Sequence, residues 1–182
     1  MNSNKNSLPS GGVGVGALVS IIMGSTSDLP VMEKAMKFLD EMEIPFEVNA
    51  LSAHRTPEAV ESFAKGAAAR GIKVIIAGAG MAAALPGVIA ASTTLPVIGV
   101  PIKGSVLDGV DALYSILQMP PGIPVATVAI NGAMNAAILA CQMISLADEA
   151  LAEKMAAYKA GLGKKIEKAN QDLAQLDYKF KV

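Results

Sequence analysis

Tryptophan is absent from this chain, cysteine and histidine occur once each, and aromatic residues make up only 4% of its 182 residues. With Cys141 alone, no internal disulfide can staple the fold, which fits a reducing, cytoplasmic setting. One histidine, one cysteine and no clustered carboxylates leave no set with metal-ligand spacing, so no metal is expected. Charge is scarce as well: charged residues make up 17%, and the net charge is −1. Such a balance lacks the basic face of a nucleic-acid binder. Long apolar runs are also missing. The uncharged stretch 13–24 falls short of the ~20 residues a bilayer requires. It leads into a turn-rich GSTSD, not a small-residue cleavage site, so it reads as a buried strand and not as a signal peptide.

What the chain does have is small apolar residues. Hydrophobic residues reach 52%, 31 of the residues are alanine, and mean hydropathy is +0.45. Disorder as the overall state is excluded on those numbers. Residues 1–16 are polar and glycine-rich and read as a flexible leader. Beyond them, short apolar runs at 17–23, 46–51, 74–77, 96–100 and 125–129 alternate with helical stretches at 29–43, 57–70, 82–92, 107–118 and 133–146. The runs are nearly continuous in hydrophobicity, as in strands covered on both faces. Alternating β and α with short connections predicts a three-layer, doubly wound, five-stranded parallel α/β sheet of flavodoxin-like order. Region 17–147 would be one catalytic domain. Region 148–182 carries 13 charges in 35 positions. Its apolar residues from Leu151 to Phe180 recur every three or four positions, so it reads as an amphipathic helical extension. Gly161 and Gly163 are expected to weaken or kink that helix.

In an open parallel sheet, ligands bind beyond the carboxyl ends of the strands. The first strand-to-helix loop, Gly24-Ser25-Thr26-Ser27-Asp28, offers hydroxyls and free helix N–H groups for a phosphate, or else Ser27 or Asp28 simply caps the helix. In the second, Ser52-Ala53-His54-Arg55-Thr56-Pro57, Thr56 as N-cap and Pro57 at the first helical position have structural explanations. Ser52, His54 and Arg55 do not. His54 is the one side chain whose ordinary pKa lies near neutrality, and Arg55 beside it can grip a phosphate bidentately. The third loop, from Gly78-Ala79-Gly80 to Leu85, lacks the full dinucleotide fingerprint. Its small residues either let a flat ligand approach the backbone or serve tight helix–strand packing. No specific chemistry attaches to 101–105. Cys141, in an apolar run, reads as an inert packed thiol.

Several linked segments together resemble one family. GSTSD after the first strand, SAHRTP after the second, VIIAGAG at the third, LPVIGVP at the fourth and the later SILQMPPGIPVATVAI are similar to the PurE family. The match runs in order from Val19 to Leu146. SAHRTP resembles the class I form, the N5-carboxyaminoimidazole ribonucleotide (N5-CAIR) mutases of purine biosynthesis. Carboxylases of aminoimidazole ribonucleotide (AIR) that use free CO2, and a non-catalytic phosphate-ligand-binding homologue, are the alternatives.

The resemblance implies that Ser25 and Asp28 hold the ribose and phosphate, that Ser52 and Arg55 add phosphate contacts, and that His54 transfers the proton. It implies further substrate contacts at Ala53, Gly78, Ala79, Gly80 and Leu85, with no metal and no cofactor. Two departures stand out. GAGMAAALPG replaces the usual GAGGAAHLPG, placing Met81 where the family has glycine and Ala84 where it has histidine. Residues 130–135 also replace a longer loop. Finally, helices 82–92 and 133–146 are apolar nearly all round, which asks for burial on every side. Contacts between subunits would supply it. A homo-oligomer is therefore expected, and the resemblance implies an octamer.

Overall fold

The computed structural model describes residues 16–182, so all of the expected leader 1–16 except Gly16 lies outside the described residues. The apolar runs form five parallel strands: β1 (Val19–Met23), β2 (Phe46–Ala50), β3 (Val74–Gly80), β4 (Val97–Ile102) and β5 (Ala126–Thr127). Their spatial order is β2-β1-β3-β4-β5, the flavodoxin-like arrangement, with β1 paired to both β2 and β3. Helices α1 (Leu29–Glu41), α2 (Pro57–Ala67), α3 (Leu85–Ala91), α4 (Val110–Leu117), α5 (Ala133–Ser145) and α6 (Glu149–Ala174) complete the chain. Short 3-10 turns precede α1 at Thr26–Asp28 and extend α2 at Ala68–Arg70.

Alternation of side chains along each strand sends neighbours to opposite faces and divides the core in two. Val19, Ile21 and Met23 of β1, with Val74 and Ile76 of β3 and Ile98 and Val100 of β4, pack against α1, α5 and the start of α6. Ile22, Ile75, Ala77 and Val97 face the other way, towards Val60 and Ala64 of α2, Ile89 of α3 and Ile116 of α4. Both faces of β1, β3 and β4 are buried, as their continuous hydrophobicity requires. Cys141 of α5 lies in the first layer, and burial pushes its thiol up to about 11, so it is inert at neutral pH.

Element ends differ from the sequence expectations for local reasons. Strand β3 continues through the Gly-Ala-Gly segment, because Ala79 and Gly80 stay in register with Pro101 and Ile102 of β4. A Cβ on Gly80 would stand 3.3 Å from the Ile102 carbonyl oxygen, so only glycine fits there without displacement. Helix α3 starts at Leu85 and not at 82, since Met81 and Ala83 hold positive φ (56° and 37°). Helix α4 starts at Val110 and not at 107, after Asp108 and Gly109 at φ 53° and 88°.

The C-terminal helix is anchored at its start. The Asp148 side chain accepts a hydrogen bond from the Leu151 N–H, Leu151 and Met155 are buried, and the Tyr158 ring meets Phe38 of α1 edge-on at 5.0 Å. Helix α6 runs through Gly161 and Gly163 without interruption. From Leu162 onward its apolar side chains face solvent, Ile166 at 64% exposure.

Candidate active site

A cavity of about 680 Å³ opens over the carboxyl ends of the strands. That volume falls in the range of small-molecule sites. Four loops furnish its wall: Gly24, Ser25, Ser27 and Asp28 after β1; Ser52 to Arg55 after β2; Ala79 to Met81 and Ala83 to Leu85 at β3; and Ile102 to Val106 after β4, joined by Asp111 of α4.

The second loop is shaped by hydrogen bonds within itself. Thr56 occupies the N-cap position of α2, yet its hydroxyl caps nothing in the helix. Instead Thr56 Oγ1 accepts from the Ser52 N–H (3.0 Å) and donates to the Ser52 carbonyl (3.1 Å). Ser52 Oγ in turn accepts from the Arg55 N–H at 3.3 Å. These bonds fold residues 52–56 into a tight turn that carries His54 and Arg55 at its apex. The Arg55 guanidinium reaches across to donate to the Gly24 carbonyl at 2.7 Å, so the first and second loops are held as one unit.

In the first loop, Ser25 is the cap, accepting from the Ser27 N–H at 3.3 Å, while Asp28 makes no capping bond. The Asp28 carboxyl is half-buried, and desolvation raises its pKa above the usual carboxylate value. A hydrogen bond from the Ser27 hydroxyl and the backbone at Ser25 and Gly24 pull it the other way. Ser25, Asp28 and Arg55 therefore surround the start of the first helix with hydroxyl, carboxyl and guanidinium groups. Such a set suits a ligand carrying a phosphate and sugar hydroxyls.

The structure brings Ser25, Asp28, Ser52, Ala53, His54, Arg55, Ala79, Gly80 and Leu85 together around this cavity. Gly78 stands apart. It does not line the wall, and a Cβ built on it would lie 2.5 Å from the Met32 sulfur of α1, which makes it a packing glycine. Sequence reasoning assigned Lys103 and Ser105 no role and passed over Asp111. Lys103 pairs with Asp108 at 2.8 Å, and its backbone N–H donates to Asn131 Oδ1 at 2.9 Å. Asn131, at φ 57°, also donates its own N–H to the Pro101 carbonyl. The altered 130–135 segment thus braces the β4 loop from behind. Among the described residues no group of three or more His, Cys, Asp or Glu could hold a metal.

A flavodoxin-like sheet with a cavity and a His–Arg turn at its carboxyl edge places the chain among α/β proteins whose open sheet edge can hold a small ligand. Comparison with known proteins makes this specific. Residues 18–165 match the family described as AIR carboxylase, and the chain belongs to that family. It is 53% identical over 161 residues to an N5-carboxyaminoimidazole ribonucleotide mutase of Pyrococcus horikoshii, covering 88% of this chain and 91% of that protein. It is 56% identical over 160 residues to a phosphoribosylaminoimidazole carboxylase of Candida glabrata, again covering 88% of this chain but only 28% of the relative. The crystal structure of Treponema denticola PurE superposes with a TM-score of 0.78 at 34% identity, covering 86% of this chain and 98% of that one.

Proposed function

We propose that the chain is an N5-CAIR mutase that moves a carboxyl group from the exocyclic nitrogen to the ring carbon C4 of an aminoimidazole ribonucleotide. The observation that carries this reading is the single cavity that gathers His54 with Ser25, Asp28 and Arg55. Mutases by name among its relatives match this chain over nearly their whole length, as at 91% for the Pyrococcus horikoshii protein and 94% for one of Thermotoga maritima.

Each step has a group to perform it. Ser25, Ser52 and Arg55 hold the phosphate, and Asp28 holds the ribose. His54 gives a proton to the carbamate nitrogen; the N–C bond breaks, leaving the free amine and CO2. C4 then attacks that CO2, forming the C–C bond, and His54 takes back the C4 proton as the ring regains aromaticity. One group that gives and then takes a proton works best with a pKa near the operating pH, where imidazole lies. Ala53, Ala79, Gly80 and Leu85 contact the base and wall in the CO2.

Holding CO2 between the two steps requires a site closed to water. In the single chain His54 and Arg55 are exposed. Other copies of the chain supply the cover in this reading, and the assembly is a homo-oligomer, an octamer. Exposed Leu107 just before α4, Val110, Tyr114 and Leu117 on α4, and Leu162, Ile166 and Leu173 on α6 support it, as exposed apolar faces mark association surfaces. Residues 17–147 form the catalytic domain and 148–182 pack on the assembly. No helix among the described residues is long and apolar enough to cross a membrane, and the reading places the enzyme in the cytoplasm.

The test is conversion of N5-CAIR by the purified protein, with and without bicarbonate. A mutase forms CAIR from N5-CAIR at a rate independent of bicarbonate, and His54→Asn abolishes it with the fold intact. Near-wild-type turnover by His54→Asn refutes the mechanism. CAIR formed from AIR and bicarbonate at the N5-CAIR rate would make the enzyme a carboxylase instead.

A further inference from the structure

The wall of the cavity changes character along the sheet. At the β1 and β2 loops it presents Ser25, Asp28, Ser52 and Arg55, whereas from Ala79 to Leu85 it holds no polar side chain at all. Ala79 and Leu85, with Ile102 of β4 beside them, are buried and form the apolar floor. Met81 belongs to this stretch but differs from the rest of it, because it lines the cavity and is still 72% exposed. It therefore stands at the mouth. Gly80, Ala83 and Ala84 on either side carry at most a methyl group, so Met81 is the one long side chain of the loop.

Two features of Met81 work against the folded chain. Its φ of 56° is left-handed, where a side chain strains the backbone, and its apolar side chain is left in water. Glycine at this position would carry neither cost. Strain kept at the edge of a ligand site points to a use in the bound state. Methionine is unbranched and turns about three bonds, so a side chain free at the mouth can lie over whatever fills the apolar end. On the mutase reading, on which this inference rests, that end holds CO2 beside the base between the two steps. No polar side chain from Ala79 to Leu85 can bind CO2, so its retention there depends on walls and on the exclusion of water.

We propose that Met81 is the apolar cover of the CO2 end: with nucleotide bound, its side chain lies over the β3 wall and retains the released CO2 until C4 attacks it. Once the N–C bond has broken, CO2 has two fates. Capture by C4 forms the new C–C bond and gives CAIR, while escape leaves AIR on the enzyme and bicarbonate in the solvent. Met81 acts on the choice between them and not on the proton transfers of His54.

The test follows N5-CAIR turnover in isotopically labelled bicarbonate, with an enzyme-free control for spontaneous decarboxylation. It reads the ratio of AIR to CAIR formed and the label in the CAIR carboxyl, together with melting temperature and assembly size. Wild type forms CAIR with little AIR and little label. Met81→Gly raises both roughly 3- to 10-fold, the factor for losing about half the burial of a methionine side chain. Its inhibition by ribose 5-phosphate is unchanged, because the phosphate end is untouched. Met81→Leu, which keeps the apolar bulk, stays near wild type. Met81→Gln, of similar length but polar, leaks as the glycine variant does and serves if that variant does not fold. An unchanged ratio and label in Met81→Gly overturns the proposal, as does a Met81→Gln as tight as wild type. So does a leak that comes with a smaller assembly or a lower melting temperature, since the cover would then belong to subunit packing. Wild-type CAIR labelled to the level of the buffer would sink the mutase reading itself, and the proposal with it.

Discussion

Gly78 separates packing from binding in a single substitution. It lies in the middle of β3, paired with Met23 of β1 and Val100 of β4. A Cβ added there would stand 2.5 Å from Met32 Sδ, 3.1 Å from Cε and 3.2 Å from Cγ. Carbon and sulfur prefer contacts near 3.5–4.0 Å, so the thioether must retreat by roughly 1 Å or more. Met32 is fully buried between α1 and the sheet, and has nowhere empty to go. Overpacking of this kind costs about 1–3 kcal/mol, and the flexibility of methionine favours the lower half of that range. Alanine restricts the unfolded chain more than glycine, which returns about 0.4–1 kcal/mol. The net expectation for Gly78→Ala is a loss of up to about 1.6 kcal/mol, or up to about 6 °C in melting temperature for a chain of this size. Urea and thermal unfolding measure it, and steady-state kinetics on the folded fraction should show an unchanged KM. Full stability with a raised KM would refute the reasoning, and would return Gly78 to the binding surface.

Three further outcomes follow from the site. Arg55→Ala should raise KM roughly 10- to 100-fold by removing a charge-assisted phosphate contact, with Arg55→Lys restoring only part because it cannot bind bidentately; an unchanged KM counts against the phosphate role. Burial raises the Asp28 pKa in the fold above its ordinary value of 3.8, so its contribution to stability is present below that pH and is lost as pH rises through the folded pKa. Asp28→Asn should therefore unfold at higher urea than wild type at pH 7, the difference shrinking below pH 3.8, while substrate binding weakens; a difference independent of pH would contradict this. Met81, at φ 56° and 72% exposed, carries the strain of a left-handed residue. Relief of about 1–2 kcal/mol, less about 0.5–1 kcal/mol for glycine's extra chain entropy, should let Met81→Gly melt up to about 6 °C higher; a drop of several degrees would show that the side chain is held by contacts.

Strand hydrophobicity and the SAHRTP spacing carried most of the architecture and most of the site into view from sequence. Buried parallel strands have one chemical appearance; β3 and β4 show it without polar interruption, and β1 with Ser20 alone among apolar residues. Boundaries fared worse wherever tertiary contact overrode local preference. Glycines at 78 and 80 look like a turn in isolation, but they remain in the ladder because neighbouring groups occupy the space a Cβ would need. The alanines after Met81 have high helix propensity, yet positive φ at 81 and 83 delays α3 to Leu85. Glycine at 161 and 163 costs about 1 kcal/mol each in a helix, which does not suffice to break one of 26 residues. Asp111 was invisible for a different reason. An acid in a first helical turn is so common a partner for the helix dipole that nothing in the sequence marks its buried, unpartnered oxygen.

Small residues and strained ones serve one purpose at the sheet's carboxyl edge. In β3 the side chains shrink from Val74, Ile75 and Ile76 to the Ala77-Gly78-Ala79-Gly80 end, so the strand enters the site as nearly bare backbone. Ala79 and Gly80 line the cavity, so that stretch of its wall is almost all backbone. A bare strand end, however, gives the following loop little to pack on. Its shape is set instead by backbone: Ala83 N–H donates to the Gly80 carbonyl at 3.0 Å, and residues 81 and 83 accept positive φ to make that closure. Such conformations cost about 1–3 kcal/mol each and persist only where the surroundings over-determine them. Here Leu85, Pro86 and Ile89 bury the start of α3 and hold the far end of the loop. A wall built this way has its shape before any ligand arrives, so less binding energy is spent on ordering it. The shortage of aromatic bulk in the sequence thus has a local counterpart, a sheet edge kept hollow by residues that carry almost no side chain.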